Sequence, residues 1–158
     1  MIKNLLLLRI DERMNHGQVM ISYMKKYPAK YILCIDDATA SDTFLSGIIK
    51  MSAPPGVKID VATVEESIKI LNAGLNKATI ILAKTPLTVK ALRERGIDID
   101  EFIIGGMPEA SGKRRFYKSI FITPDEEKAV GQMLQAGVKI DVQIVASDKR
   151  IPVSTLLK

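Results

Sequence analysis

At 158 residues the chain reads as one domain over 1–158, long enough to bury about 70% of the surface it exposes unfolded and to build a core without staples. Hydrophobic residues make up 47% of it at a mean hydropathy of +0.12, and no stretch reaches the ~20 apolar residues that a membrane span needs. The net charge of +5 favours acidic partners in general, phosphate groups among them, but the Lys and Arg are spread out and only Lys113–Arg115 forms a run.

Cys34 is the single cysteine, so an internal disulfide is excluded, and its apolar setting reads as a buried, inert thiol. No Cys/His cluster has metal-ligand spacing. Leu5–Leu8 is too short for a signal-peptide core and leads into charges rather than a cleavage site. A cytoplasmic protein is expected. GxGxxG and GxxxxGK[ST] are both absent, which argues against bound NAD or ATP, so neither cofactor nor metal is expected.

The near-continuous apolar run Ile2–Leu8 predicts a strand buried on both faces. Gln18–Tyr27 follows as a helix, with Met20, Tyr23, Met24 and Tyr27 on one stripe, and Pro28 stops it. Tyr31–Ile35 is the second strand, ended by Asp36-Asp37. Ser41 or Asp42 caps a helix whose Phe44, Leu45, Ile48 and Ile49 make an apolar stripe. Pro54-Pro55-Gly56 turns the chain into a third strand, Val57–Ala62. Thr63 with Glu66 forms a capping box, and Gly74 ends that helix.

Ala78–Ala83 is the fourth strand, and Thr85-Pro86 opens the next helix. Phe102–Ile104 belongs to a fifth, closing on Gly105-Gly106-Met107. Ser119–Ile122 is a sixth, and Thr123-Pro124 opens a helix that faces inward through Val130, Met133 and Leu134. The alternating Lys139–Val145 suits an edge strand, and Pro152–Leu157 a short terminal helix. Strands alternating with helices predict an α/β fold, a doubly wound, mainly parallel sheet of about seven strands with helices on both faces.

In such a sheet the loops beyond the strand carboxyl ends share one edge and carry function. The loop after the first strand reads RIDERMNHG. It holds the only histidine, His16, flanked by Arg9 and Arg13, with Gly17 at a helix start where backbone N–H groups are free. Guanidinium groups, free amides and an imidazole describe an anion site with a nucleophile inside it, suited to phosphoryl transfer onto His16. Arg13 would neutralise the phosphoryl oxygens. Asp11 would orient Arg13 or accept from the second ring nitrogen of His16. The same residues also fit a solvated loop with surface ion pairs worth little each. Residue chemistry alone leaves the two readings level.

RIDERMNHGQV resembles the signature of the IIB component of the mannose/fructose/sorbose family of the bacterial sugar phosphotransferase system, in which the histidine before GQV is phosphorylated. SAPPGV at Ser52–Val57, KTP at Lys84–Pro86 and IGGM at Ile104–Met107 fall where that family has similar segments, so the resemblance spans nearly the whole chain. It implies that the protein takes a phosphoryl group from phosphohistidine on a IIA component, holds it on His16, and passes it to a sugar. The sugar is carried by membrane IIC and IID components and would be mannose, fructose, sorbose or an amino sugar such as N-acetylgalactosamine. It implies Asp11 and Arg13 as active-loop residues, with Arg9 a second phosphate contact beside Arg13; the free amides at Gly17 make it a further phosphate contact, and Asp37, Lys84, Gly105 and Gly106 are candidates for the site border. Association with the membrane would be peripheral, nucleic acid is not an expected partner, and a homodimer is left open. Asn15 stands where the family usually has an aliphatic residue, and Tyr23 where it commonly has tryptophan. Two rival readings are a receiver-like domain phosphorylated on aspartate, with Asp36, Asp37 and Lys84, and a basic nucleic-acid-binding module.

Overall fold

The computed structural model describes residues 2–14 and 17–157. Apolar runs become strands and amphipathic segments become helices, alternating except where two helices follow β2: β1 (Leu5–Asp11), α1 (Gly17–Lys26), β2 (Tyr31–Ile35), α2 (Asp37–Ser41), α3 (Thr43–Met51), β3 (Lys58–Ala62), α4 (Val64–Ala73), β4 (Thr79–Ala83), α5 (Pro86–Glu94) and β5 (Glu101–Gly106). A hairpin of β6 (Arg114–Tyr117) and β7 (Ile120–Ile122) follows, then α6 (Pro124–Gln135), β8 (Lys139–Val142), β9 (Ile151–Pro152) and a 3₁₀ turn at Val153–Thr155. The main sheet has seven strands in the order β3-β2-β4-β1-β5-β8-β9. Its pairs are parallel except β8 with β9.

Because successive side chains of a strand point to opposite faces, the apolar runs feed two cores. Leu8, Ile10, Leu33, Ile35 and Ile81 pack under α4, α5 and α6. Leu7, Ile32, Cys34, Ile80 and Leu82 pack under α1 and α3. Cys34 is fully buried, and burial pushes its thiol up to about 12. The expected inert thiol follows, since the reactive thiolate is scarce at neutral pH. The native protein should therefore resist a thiol-specific alkylating reagent at pH 7 and react only when unfolded; labelling of the folded chain within minutes would contradict this.

Helix starts are set by side chains that satisfy orphan N–H groups. Thr63 Oγ1 accepts from the Glu66 N–H (3.1 Å) while Glu66 accepts from the Thr63 N–H (3.0 Å). Thr123 and Glu126 repeat the arrangement on α6. Asp42 caps α3 by accepting from the Leu45 N–H at 3.0 Å. Each such cap stabilises by about 1 kcal/mol.

Five expectations change. β1 starts later and runs on through Arg9 and Ile10, which pair with both β4 and β5, to Asp11, which pairs with Gly106 of β5 across a register shift. Ser119–Ile122 contributes not a main-sheet strand but β7 of the separate hairpin. β8 is flanked by β5 on one side and β9 on the other, so β9 forms that edge, and the expected terminal helix is β9 plus one 3₁₀ turn. The short helix α2 was not expected; Asp36 caps it, accepting from the Thr39 N–H at 3.0 Å.

The apolar stripe expected on α3 is only partly covered. Ile49 is 7% exposed, whereas Phe44 is 78% and Ile48 50%. The helix packs on the sheet through Ile49 and turns its broader apolar side outward. Phe44→Ser should accordingly shift stability by no more than about 0.5 kcal/mol, while Ile49→Ala should cost roughly 2–4 kcal/mol. Urea midpoints of the two variants check this; equal losses would contradict it.

Candidate active site

The carboxyl ends of β1, β2, β4 and β5 lie side by side, since Ile10 pairs with both Ala83 and Ile104 and Ile35 pairs with Ala83. Lys84 therefore sits one strand away from Asp11. Side chains on odd positions of β1 face α1, so Arg9 and Asp11 point into the helix-covered side of the sheet instead of into a solvated loop. Both are buried, at 0% and 2% exposure.

Asp11 is the centre of the arrangement. One carboxylate oxygen accepts from the backbone N–H of Arg13 (3.0 Å) and from its Nε (3.2 Å). The other accepts from Arg9 Nε and Nη2, both at 3.4 Å, and from Arg13 Nη2 at 3.5 Å. Arg13 keeps 42% of its side chain exposed while held at its base. A guanidinium fixed by a buried carboxylate yet open to solvent is poised to meet an incoming anion.

The turn is pinned from both sides. The Glu12 N–H donates to the Gly106 carbonyl at 2.7 Å, and the Met14 N–H to the Asp11 carbonyl at 3.0 Å. Met14 adopts φ 57°, in the left-handed region, with its side chain buried. Glu12 also forms an ion pair with Lys113, which ties the turn to the segment ahead of β6. Gly17 then opens α1, whose first turn has no acidic side chain to offset the positive end of the helix dipole.

The family model of the phosphotransferase system (PTS) sorbose-subfamily IIB component matches residues 5–158. The chain belongs to that family. The sorbose-specific EIIB component of Klebsiella pneumoniae is 31% identical over 147 residues, covering 92% of this chain and 90% of the relative. The mannose-specific EIIAB component of Escherichia coli K12 is 28% identical over 155 residues, and this chain matches 47% of its length. The crystal structure of the IIBSor domain of the Klebsiella pneumoniae sorbose permease superposes with a TM-score of 0.86 at 28% identity, over 94% of this chain and 93% of that one. IIB components are phosphotransferases of sugar uptake systems, and the mainly parallel sheet described above is their fold.

In this IIB component the residues singled out from sequence fall into distinct places. Asn15 and His16 lie outside the described residues. Arg13 and Asp11 meet as described. Arg9, expected as a second phosphate contact, is corrected: its donors are spent inside the protein. Nη1 donates to Tyr23 Oη (3.0 Å) and the Gln143 carbonyl (2.7 Å), Nη2 to the Ile144 carbonyl (2.9 Å) and Asp11, and Nε to Asp11. A guanidinium has five N–H donors, and five bonds account for them. Arg9 is a strut, not an anion contact.

Gly105 and Gly106 floor the site for a steric reason. A Cβ on Gly105 would lie 1.9 Å from Arg9 Cζ, and one on Gly106 would lie 2.4 Å from Asp11 Oδ1. Lys84 pairs with Asp36 at 3.7 Å. Asp37 accepts from the Val64 N–H at 2.8 Å at the start of α4, beyond the end of β2, which lies two strands away from β1. In the basic run, Lys113 pairs with Glu12 and Arg114 with Glu127, while Arg115 lies over the Phe121 ring. This leaves less free positive charge than the run suggests.

Two further site residues, Tyr23 and Gln143, were not expected. Tyr23 Oη lies 2.8 Å from Gln143 Oε1, and both residues are buried. Tyr23 carried a signal, as a polar-tipped residue on the inward stripe of α1. Gln143 carried none, because one polar residue in the alternating run KIDVQIV reads as outward-facing.

Proposed function

We propose that this IIB component accepts a phosphoryl group from phosphohistidine of a IIA component on His16 and passes it to a sugar held by membrane IIC and IID components. The observation that carries the reading is the Arg13 guanidinium, exposed but anchored on buried Asp11, three residues before the single histidine and at the carboxyl edge of the sheet. In the first half-reaction an imidazole nitrogen of His16 attacks phosphorus as the P–N bond to the donor imidazole breaks. Charge on the transferring oxygens is met by Arg13 and by backbone N–H groups at the start of α1. In the second, a sugar hydroxyl attacks, the P–N bond to His16 breaks, and the hydroxyl proton leaves.

A neutral imidazole is nucleophilic near neutral pH and releases the group again readily, which suits a relay between two partners. The A and B letters in the name of the mannose-specific EIIAB relative support a IIA partner. The names of the relatives support a hexose or amino sugar as acceptor. No helix among the described residues is long and apolar enough to cross a membrane, which supports a cytoplasmic component that meets the membrane complex only at its periphery.

Arg13→Ala tests the role of the guanidinium. It should lower the single-turnover rate of phosphoryl uptake by about 10²–10³-fold and stability by no more than about 1 kcal/mol, because the guanidinium is partly exposed and Asp11 keeps Arg9 as its buried partner. Rapid-quench transfer from phosphorylated IIA and thermal melts check both; an unchanged rate would remove Arg13 from the mechanism.

A further inference from the structure

Arg9 costs free energy to bury, and nothing in the packing of β1 requires a cation there. What it does is connect. It joins three elements at one point: β1 through Asp11, α1 through Tyr23, and the segment after β8 through the carbonyls of Gln143 and Ile144. Gln143 extends the chain, since its Nε2 donates to the Asp148 carbonyl at 2.9 Å. Tyr23 holds the guanidinium in two ways: its hydroxyl accepts from Nη1, and its ring lies 4.9 Å from Arg9 Cζ. Burial raises the phenol's pKa, with the Arg9 charge working against it. The hydroxyl therefore stays protonated and donates to Gln143 Oε1 while it accepts from Arg9.

We infer that Tyr23 and Gln143 are positioning residues for phosphoryl transfer, acting through Arg9 and Asp11 to aim the Arg13 guanidinium. The inference rests on the reading of Arg13 as the phosphoryl contact. The linkage is continuous: Gln143 to Tyr23, Tyr23 to Arg9, Arg9 to one oxygen of Asp11, and the other oxygen of Asp11 to the Nε and backbone N–H of Arg13. Of these groups only Arg13 reaches solvent appreciably. A carboxylate with both oxygens engaged has little freedom to rotate, so the plane of the Arg13 guanidinium is set from behind. Misplacing such a group by about 1 Å costs rate out of proportion to stability.

The test is a double-mutant cycle on single-turnover phosphoryl uptake from phosphorylated IIA. Tyr23→Phe keeps the ring and removes only the hydroxyl. It should slow uptake about tenfold at an unchanged half-saturating IIA concentration, with a far-ultraviolet circular dichroism spectrum like that of the parent. In the Arg13→Ala background the same substitution should change the rate less than twofold, because the group it aims is gone. Gln143→Met should behave like Tyr23→Phe in both backgrounds. Equal fold-losses with and without Arg13, or a parental rate for Tyr23→Phe, would overturn the inference and leave the network a purely structural one. Failure of the parental chain itself to take up phosphoryl on His16 is a separate result and would count against the proposed function instead.

Discussion

Gly105→Ala is expected to be among the most destabilising single substitutions in this protein. The added methyl would be placed 1.9 Å from Arg9 Cζ and 2.0 Å from Nη1. A clash with the tip of a long side chain is ordinarily relieved by moving the tip. Here Arg9 is 0% exposed and its donors are engaged with Tyr23, Asp11 and two carbonyls. Moving it would strand a buried charge and leave the Asp11 carboxylate without its inner partner, a loss of about 3–5 kcal/mol. For a chain of this length that corresponds to a drop in Tm of roughly 10 °C. Gly47→Ala is the contrast. It lies mid-helix in α3 with nothing within 4 Å of its Cβ position, and should stabilise by about 0.5–1 kcal/mol. Scanning calorimetry of the two variants decides the matter, and a Gly105→Ala melting point within two or so degrees of the parent would refute the reading of the glycine pair as a floor for Arg9 and Asp11.

His16→Ala should abolish phosphoryl acceptance outright while leaving the fold intact. The chain has one histidine, so no second imidazole can take over. The buried thiol of Cys34 is unavailable as a nucleophile, being pushed up by burial. Neither the Arg13 guanidinium nor the α1 backbone amides, which on the proposed mechanism would stabilise the transferring group, can form the covalent intermediate. Incubation with phosphorylated IIA should therefore give no detectable labelled protein, at a circular dichroism spectrum and melting point close to the parent's. Labelling of His16→Ala at a rate near the parental one would defeat the assignment of the nucleophile.

The elements that could be read from sequence are those whose residues obey one rule at a time. Tyr31–Ile35 is uninterrupted and β-branched or aromatic at three of five positions, and it forms β2 with those bounds. Thr63 with Glu66 and Thr123 with Glu126 announce α4 and α6 because the capping chemistry is local. The extension of β1 through Arg9 and Asp11 was hidden for the opposite reason. Two charged side chains look like the start of a solvated loop, and only partners distant in sequence, such as Tyr23 and Gln143, make their burial tolerable. The hairpin strand Arg114–Tyr117 begins with two arginines and presents no apolar run to read. α3 shows the limit of periodicity itself, since a stripe of apolar residues states which side of a helix is greasy and not whether anything covers it.

The site divides in the same way. The grouping of Asp11 and Arg13 follows from spacing on a strand end. The separation of the two arginines into a buried strut, Arg9, and a partly exposed partner of Asp11, Arg13, depends on the three-dimensional partners of Arg9 and could not be seen in RIDERMNHG. The glycines of IGGM read from sequence only as candidates for the site border; in the structure they are places where a neighbouring side chain occupies the volume a Cβ would need.

On the proposed function, one imidazole lodges a phosphoryl group between two partners. The most direct test of this is transfer from phosphorylated IIA to the intact chain, followed by peptide mass mapping and measurement of acid and alkali stability. A label confined to His16, lost in mild acid and retained in alkali, is the predicted result. A label on an aspartate with the reverse sensitivity, or a chain that takes up no phosphoryl group from its IIA partner, would contradict it.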